Sequence, residues 1–484
     1  MNTDPACSCS DKYRREHSLS LDNMIFTRRQ FLERTGMGMG ALSLASILGL
    51  DLRAEAGPAT SLKPLAPHAA HWPAKAKAVI HIFAEGGPSQ VDTWDPKEEL
   101  TKFDGKTIPG HQGVAFGSPF KFTPMGKSGI PVSSVFPKLG EHVDEMAIIR
   151  SIWTDIPAHD VAQRFMNTGS LQLPKPSMGS WVVYGLGSEN QNMPGFVTLG
   201  GKPEWRQASF LPGVFQGCNV NYSPKMKLDE VLLNISNQFT SPDRQRRQLD
   251  LVHQLNDMHA AALQKDAQLE ARIEAFEMAF KMQTEATEAF DITKESTATR
   301  AMYGLNEAGM KGGGGDLGAK MLVARRLVER GVRFVQVSAG GWDHHNRLDE
   351  ALARQAGAVD GPAAALLADL KQRGLLDSTL VIWGGEFGRT VVRDRNGNES
   401  PGRDHNGRAM VAWMAGGGVK GGTTYGSTDE FGARAAENKV HIHDFHATIL
   451  ALLGFDHKKL TYRYNGRDFR FTDNFGSVVK DVIA

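Results

Sequence analysis

Cysteine is almost absent. The chain has three in 484 residues, with Cys7 and Cys9 near the N-terminus and Cys218 alone. That excludes a disulfide framework and a zinc knuckle, so a bound metal would take oxygen and nitrogen ligands. Excess charge of one sign is lacking too. The 55 Lys and Arg against 54 Asp and Glu leave a formal charge of +1. No basic field therefore points to nucleic acid as a partner. After the N-terminal region no run reaches about 18 uninterrupted apolar residues, so no stable membrane span is expected once a leader is removed. Glycine is plentiful at 52 residues, which suits tight turns around a sheet. The length allows a large core in one α/β domain or in two.

The N-terminus reads as an address. Thr27-Arg-Arg-Gln-Phe-Leu32 precedes a weakly apolar run from Gly36 to Leu50, then Ala54-Glu-Ala56. Paired arginines, a short apolar segment and small residues in that order match a twin-arginine export signal over residues 1–56. An ordinary basic amphipathic helix is the alternative. The expected location is periplasmic or cell-surface. Residues 57–74 are Pro/Ala-rich and read as a linker. Residues 75–484 read as the functional domain, with a charged helical insertion over 228–310. Within that insertion Leu269, Ile273, Phe276 and Phe280 recur at helical spacing.

Elsewhere the chain alternates strand and helix. Strands are expected at 78–83, 146–149, 194–199, 333–338 and 379–383, and 410–414 is a further apolar run. Helices are expected at 317–330, 347–373 and 445–453. This rhythm predicts a mostly parallel sheet with helices on both faces. In such sheets ligands bind beyond the carboxyl ends of the strands. Three polar clusters fall there or nearby: Glu85 to Asp92, Gly340-Gly-Trp-Asp-His-His345 and Gly384-Gly-Glu-Phe-Gly-Arg-Thr390. Gly402-Arg-Asp-His-Asn406 precedes its strand, so its loop is expected to fold back over the same rim.

Acid-plus-His pairs converging on one rim point to a divalent metal, since carboxylate oxygens suit hard ions and imidazole adds affinity for zinc or manganese. Each element has a structural alternative. Asp343 can cap the following helix, Glu386 can pair with Arg389, and Asp404-His405 can be a solvated loop. His441, His443 and His446 read as a strand end and a helix cap rather than a metal trio.

Several strings together resemble one family. They are Glu85-Gly-Gly-Pro-Ser-Gln-Val-Asp-Thr-Trp-Asp-Pro96, Met166-Asn-Thr-Gly169, Pro176-Ser-Met-Gly-Ser-Trp181, Gly341-Trp-Asp343, Glu386-Phe-Gly-Arg-Thr390, Gly402-Arg-Asp-His405 and Ala415-Gly-Gly-Gly418. The chain resembles, over essentially its whole length, the domain-of-unknown-function 1501 family of the alkaline phosphatase/sulfatase superfamily. The resemblance implies an alkaline-phosphatase-like three-layer sandwich. It also implies Zn, Mn or Ca held by Asp343, His345, Glu386, Asp404 and His405, with Asp92 favoured over Glu85 as the first acid. Phe387 stands where the superfamily has a histidine. His159 stands in the place of the usual Cys or Ser nucleophile and Gln163 in that of its arginine, which leaves His159 as nucleophile, ligand, general acid or plain loop histidine. Ser89 and Ser177 lie on neighbouring loops.

Two functional expectations follow. The first is a metal-dependent hydrolase of sulfate or phosphate esters, on a small-molecule or polysaccharide substrate. In it His159 serves as acid or base, and Arg389 and Arg403 clamp the anion. The second is a non-catalytic relative that binds anions or polysaccharide, or that serves in a cell-surface assembly through the charged helical insertion. Trp153, Trp342 and Trp383 are candidates for a sugar platform.

Overall fold

The computed structural model describes residues 64–172, 174–226, 231, 241–262, 277, 280–281, 287–306, 315–394 and 401–484. The expected export signal, part of the linker and much of the insertion lie outside these residues. All described residues belong to the compact unit Gly57–Ala484.

Short strands, the inner ones buried and rich in Val, Ile, Phe and Trp, build a central sheet. They are β1 (Ala78–Phe83), β2 (Met146–Trp153), β3 (Phe196–Leu199), β4 (Cys218–Val220), β5 (Phe334–Ser338), β6 (Thr379–Gly384), β7 (Met410–Ala415), β8 (Thr423–Tyr425) and β9 (Val440–His441). Their order is β8-β2-β7-β6-β1-β5-β3-β4, with β9 also on β2. β1 pairs parallel with β5 and β6, and β3 pairs parallel with β4 and β5. Strand β7 alone in this sheet runs antiparallel to both its neighbours, β2 and β6.

Period-2 alternation splits the core in two. Ile80, Ile82, Val335, Val337, Val381, Trp383, Val411 and Trp413 face one layer. Val79, Phe83, Phe334, Leu380, Ile382, Met410, Ala412 and Met414 face the other. The first layer is covered by helices α3 (Gly315–Glu329) and α4 (Leu348–Gln372), whose Leu322, Leu327, Leu352 and Leu366 join that core. The second is covered by α1 (His159–Thr168), α2 (Met178–Leu186) and α5 (Ile442–Leu452), through Phe165, Trp181, Phe445 and Leu450. A strand buried on both faces reads as a near-continuous apolar run, and β1, β5, β6 and β7 do, with His81 and Gln336 as the buried polar interruptions. The result is the expected three-layer sandwich with a mixed, mostly parallel sheet.

Some expectations shift in detail. Strand β2 runs four residues further than the apolar run 146–149, because Ile152 is still buried and Val440 pairs with it. Helix α5 begins at Ile442, where His441 and Asp444 form a reciprocal capping box. This is the strand-end and cap role expected there. In the insertion a helix spans Pro242–Ala262, and Arg246 reaches Glu277 at 2.6 and 2.9 Å. Trp342 and Trp383 are fully buried, packed on Phe136 and each other, so they form no sugar platform.

Candidate metal centre

The carboxyl ends of β1, β5 and β6 lie on one edge of the sheet because those strands are parallel. The loop after β2 and the loop before β7 reach the same edge, since β7 is reversed. Asp404 and His405 therefore need no fold-back: the antiparallel direction of β7 puts its entry loop at the rim. A short antiparallel pairing of His405 with Arg389 fixes the two loops against each other.

Close backbone approach sets the floor of the site. Gly86 has φ +111°, and a Cβ there would sit 2.6 Å from Asp343 N and 2.8 Å from Trp342 N. Only glycine fits, and its N–H donates to both oxygens of Glu386 at 3.0 and 3.2 Å. Gly402 plays the same part opposite His345, whose carbonyl carbon would lie 2.1 Å from an added Cβ.

Three imidazoles converge on Asp343. Oδ1 of Asp343 lies 2.9 Å from His345 Nε2, 3.3 Å from His405 Nε2 and 3.3 Å from His159 Nε2. The Nε2 atoms of His345 and His405 are 3.0 Å apart. Each ring is held from behind at Nδ1. His159 Nδ1 donates to Glu386 Oε1 at 2.6 Å, His345 Nδ1 to Asp394 Oδ2 at 2.5 Å, and His405 Nδ1 to the Pro157 carbonyl at 3.0 Å. A carbonyl or carboxylate behind each ring places the proton on Nδ1 and leaves a lone pair on Nε2. The three Nε2 atoms then face Asp343 Oδ1. His159 Nε2 is buried, and although 3.3 Å from Asp343 it makes no hydrogen bond of normal geometry. Such an atom beside a carboxylate can take a proton or a metal ion.

Charge tells the same story. Burial depresses His159, but the carboxylates of Asp343 and Glu386 outweigh it and push its pKa up to about 9. Burial would raise Asp343, yet His159, His405 and Arg389 hold it far below the ordinary carboxylate range. The pull that favours a proton on the imidazole nitrogen equally favours a metal ion. Two triads have the spacing to hold one: His159, Asp343 and His405, and His345, Asp404 and His405. Asp404 is exposed, and its Oδ1 lies 4.0 Å from His345 Nδ1.

Other expected site residues are placed elsewhere. Glu386 is fully buried behind His159, with its oxygens taken by His159, Gln163 and Gly86. It does not pair with Arg389, which binds Asp343 Oδ1 at 2.5 Å and the carbonyls of Gly86, Gly87 and Arg403. Asp92 and Arg403 form a two-pronged ion pair at 2.6 and 3.1 Å, both fully buried, with Ser89 adding a bond to Asp92. Asp92 is thus committed to Arg403 and away from the cluster, and neither Arg389 nor Arg403 has a guanidinium free to clamp a substrate anion. Helix α4 starts after Arg347, so Asp343 does not cap it. Ser177 bonds Ser180 and stays buried. Phe387 packs its ring 4.8 Å from His159 and 4.7 Å from His405, filling space beside the ligand atoms. Sequence reasoning missed Asp394 and the Pro157 carbonyl. Neither stands in a recognisable pattern, and only the fold brings them behind the two histidines.

The fold and site together define an α/β sandwich with a His/Asp cluster at the strand rim, suited to a metal. A family model described as "Protein of unknown function (DUF1501)" matches residues 76–483, and the chain belongs to that family. No curated protein sequence matches it. Similar solved structures include the PsFucS1 sulfatase from Pseudoalteromonas sp., 12% identical over 79% of this chain and 68% of that one, with a TM-score of 0.35. The lipoteichoic acid synthase LtaP from Listeria monocytogenes is 11% identical over 85% and 78%, with a TM-score of 0.32. The alkaline phosphatase of the Antarctic bacterium TAB5 is 11% identical over 72% and 94%, with a TM-score of 0.28. Likeness this loose transfers neither residues nor activity.

Proposed function

We propose that this protein is an exported, metal-dependent hydrolase of sulfate or phosphate esters. The observation that carries the reading is the convergence of three Nε2 lone pairs on Asp343 Oδ1, each imidazole pinned at Nδ1. Three nitrogens and one oxygen suit zinc or manganese better than calcium, which prefers oxygen alone. His159, Asp343, His345 and His405 would hold the ion, with Asp404 available beside His345. Such an ion supplies Lewis acidity toward a phosphoryl or sulfuryl oxygen. The chain's own groups set the geometry. Glu386, Asp394 and the Pro157 carbonyl orient the imidazoles, and Arg389 offsets part of the charge on Asp343. His159 is then a ligand rather than the attacking group, and water is the nucleophile. Export rests on the paired arginines Arg28 and Arg29 and would place the enzyme in the periplasm or at the cell surface.

A second reading, anion binding without turnover, draws support from Phe387 beside the ligand atoms and from Ser89 and Ser177 being bonded elsewhere. One experiment separates the two. Purified protein is assayed for bound metal and for release of sulfate or phosphate from a panel of monoesters and diesters, alongside His405→Ala. The hydrolase reading expects near-stoichiometric metal, turnover of at least one ester class, and loss of both in the variant. Metal without turnover on any ester supports the binding reading, and protein that takes up no zinc or manganese overturns the hydrolase.

A further inference from the structure

Helix α1 carries His159 at its first residue, and the residue before it, Ala158, gives that turn no side-chain cap. An uncapped first turn leaves its N–H groups unheld and frays. A ligand carried there needs another anchor, and buried polar groups supply one. His159 and Gln163 are one turn apart, so both project from the same face of α1. Both reach the same atom: His159 Nδ1 donates to Glu386 Oε1 at 2.6 Å, and Gln163 Nε2 donates to it at 3.0 Å.

The path continues inward. One turn further along α1, Asn167 Nδ2 donates to the Gln163 carbonyl at 2.8 Å, and Asn167 Oδ1 accepts from Gln336 Nε2 at 2.7 Å. Gln336 stands on β5, in register with His81 on β1 and Thr198 on β3. Its side chain enters the layer under α1, because its neighbours Val335 and Val337 face the other layer. Hydrogen bonds therefore run without a break from the middle of the sheet, through α1, to the imidazole. All three amides are buried, in a layer otherwise filled by Phe165, Met166, Trp181 and Phe445. Amides in such a place are unfavourable unless their bonds are made. Gln163 shows which bond matters. Its Oε1 is buried and has no hydrogen-bond partner among the described residues. Turning the amide over would set that oxygen against the Glu386 carboxylate, so the N–H stays on Glu386 and the oxygen goes unpaired.

We propose that Gln163, Asn167 and Gln336 are positioning residues of the metal centre, which hold α1 at the height and rotation that bring His159 Nε2 to Asp343. The inference rests on the metal reading for what the network serves; that the network pins His159 stands on the bonds themselves. Gln163 fixes the carboxylate that holds the ring. Asn167 and Gln336 fix the helix that carries it, which its own first turn does not do.

Two measurements on the full chain test this, and the first needs no metal. In protein stripped by chelation, an imidazole N–H held by a buried carboxylate gives a slowly exchanging proton resonance far downfield. The one that disappears in His159→Ala belongs to His159. Gln163→Met keeps the length and packing but has no N–H, and should broaden that resonance by solvent exchange. Gln336→Leu, on the sheet, should do the same. The second measurement is competition for zinc against a chromophoric chelator, in which each variant should bind roughly tenfold more weakly. Thr198→Val, a buried change beside Gln336 but outside the path, should alter neither readout. A wild-type chain without the His159 resonance, wild-type resonance and affinity in either network variant, or the same losses in Thr198→Val overturns the proposal. The two readings fail separately. A wild-type chain that takes up no zinc, yet whose resonance responds to both network substitutions, sinks only the metal reading. Tight zinc binding that neither substitution weakens, with the resonance unmoved, sinks only the network.

Discussion

Glu386→Gln is the sharpest probe of how the cluster works. Glu386 never faces the ligand atoms; its Oε1 takes bonds from His159 Nδ1 at 2.6 Å and Gln163 Nε2 at 3.0 Å, and both oxygens take the Gly86 N–H. Glutamine has nearly the same shape and still offers one oxygen. What it lacks is charge. The His159 bond then falls from charge-assisted to neutral, about half as strong. His159 loses basicity at Nε2, and the ring is freer to turn. Removing a carboxylate behind a ligating imidazole costs about 10–100-fold in metal affinity, roughly 1.4–2.8 kcal/mol. The assay is competition for zinc against a chromophoric chelator, with the thermal melt of the metal-free protein as a folding control. An affinity within about twofold of wild type, in a protein that melts normally, would refute the argument. His159 would then not be a ligand.

Three other expectations follow from groups outside the cluster. Asp92→Asn strips the partner from the buried Arg403, and should cost about 3–5 kcal/mol in denaturant unfolding while leaving metal content unchanged; metal loss at unchanged stability would return Asp92 to the ligand set. Burial holds His81 down to about 4, so the unfolded chain, near 6.5, takes the proton first. Stability present above that unfolded value is lost as pH falls through this window, by about 2 kcal/mol between pH 7 and pH 5, and His81→Leu should remove that share of the slope in urea titrations at the two pH values. Gly169 closes α1 at φ +64°, where a Cβ would meet the Phe471 carbonyl at 2.2 Å, so Gly169→Ala should cost more than about 1 kcal/mol and lower the melting temperature.

Much of the architecture was legible because burial on both faces leaves a plain signature. The runs Ala78–Phe83, Phe334–Ser338 and Thr379–Gly384 have few polar interruptions, and each is followed by glycine and an acid. The convergence of Asp343, His345 and His405 followed from that rhythm. Strand direction did not. Nothing in Met410–Ala415 marks it as antiparallel, since an apolar strand reads alike either way. Sequence also cannot tell an arginine that meets a ligand from one that braces a loop. Arg389 and Arg403 stand beside acids and histidines in the chain, yet both point inward at carbonyls and at Asp343 or Asp92. For the same reason Glu386 read as a ligand: its distance from the rim depends on the Gly86 turn, which draws it under His159.

The reversed strand β7 has a consequence for how the protein ages and loads. It brings His405 beside His345, 60 residues earlier, while Glu386 reaches back 227 residues to His159. No short fragment contains the set. The cluster therefore comes into being only once the sheet has closed, so uptake of an ion reports completed folding rather than assisting its early steps. An ion bound there would act as a clasp across three loops. At a hundredfold excess over its dissociation constant it would add about 2.7 kcal/mol to the folded state, and its loss would loosen the whole rim at once.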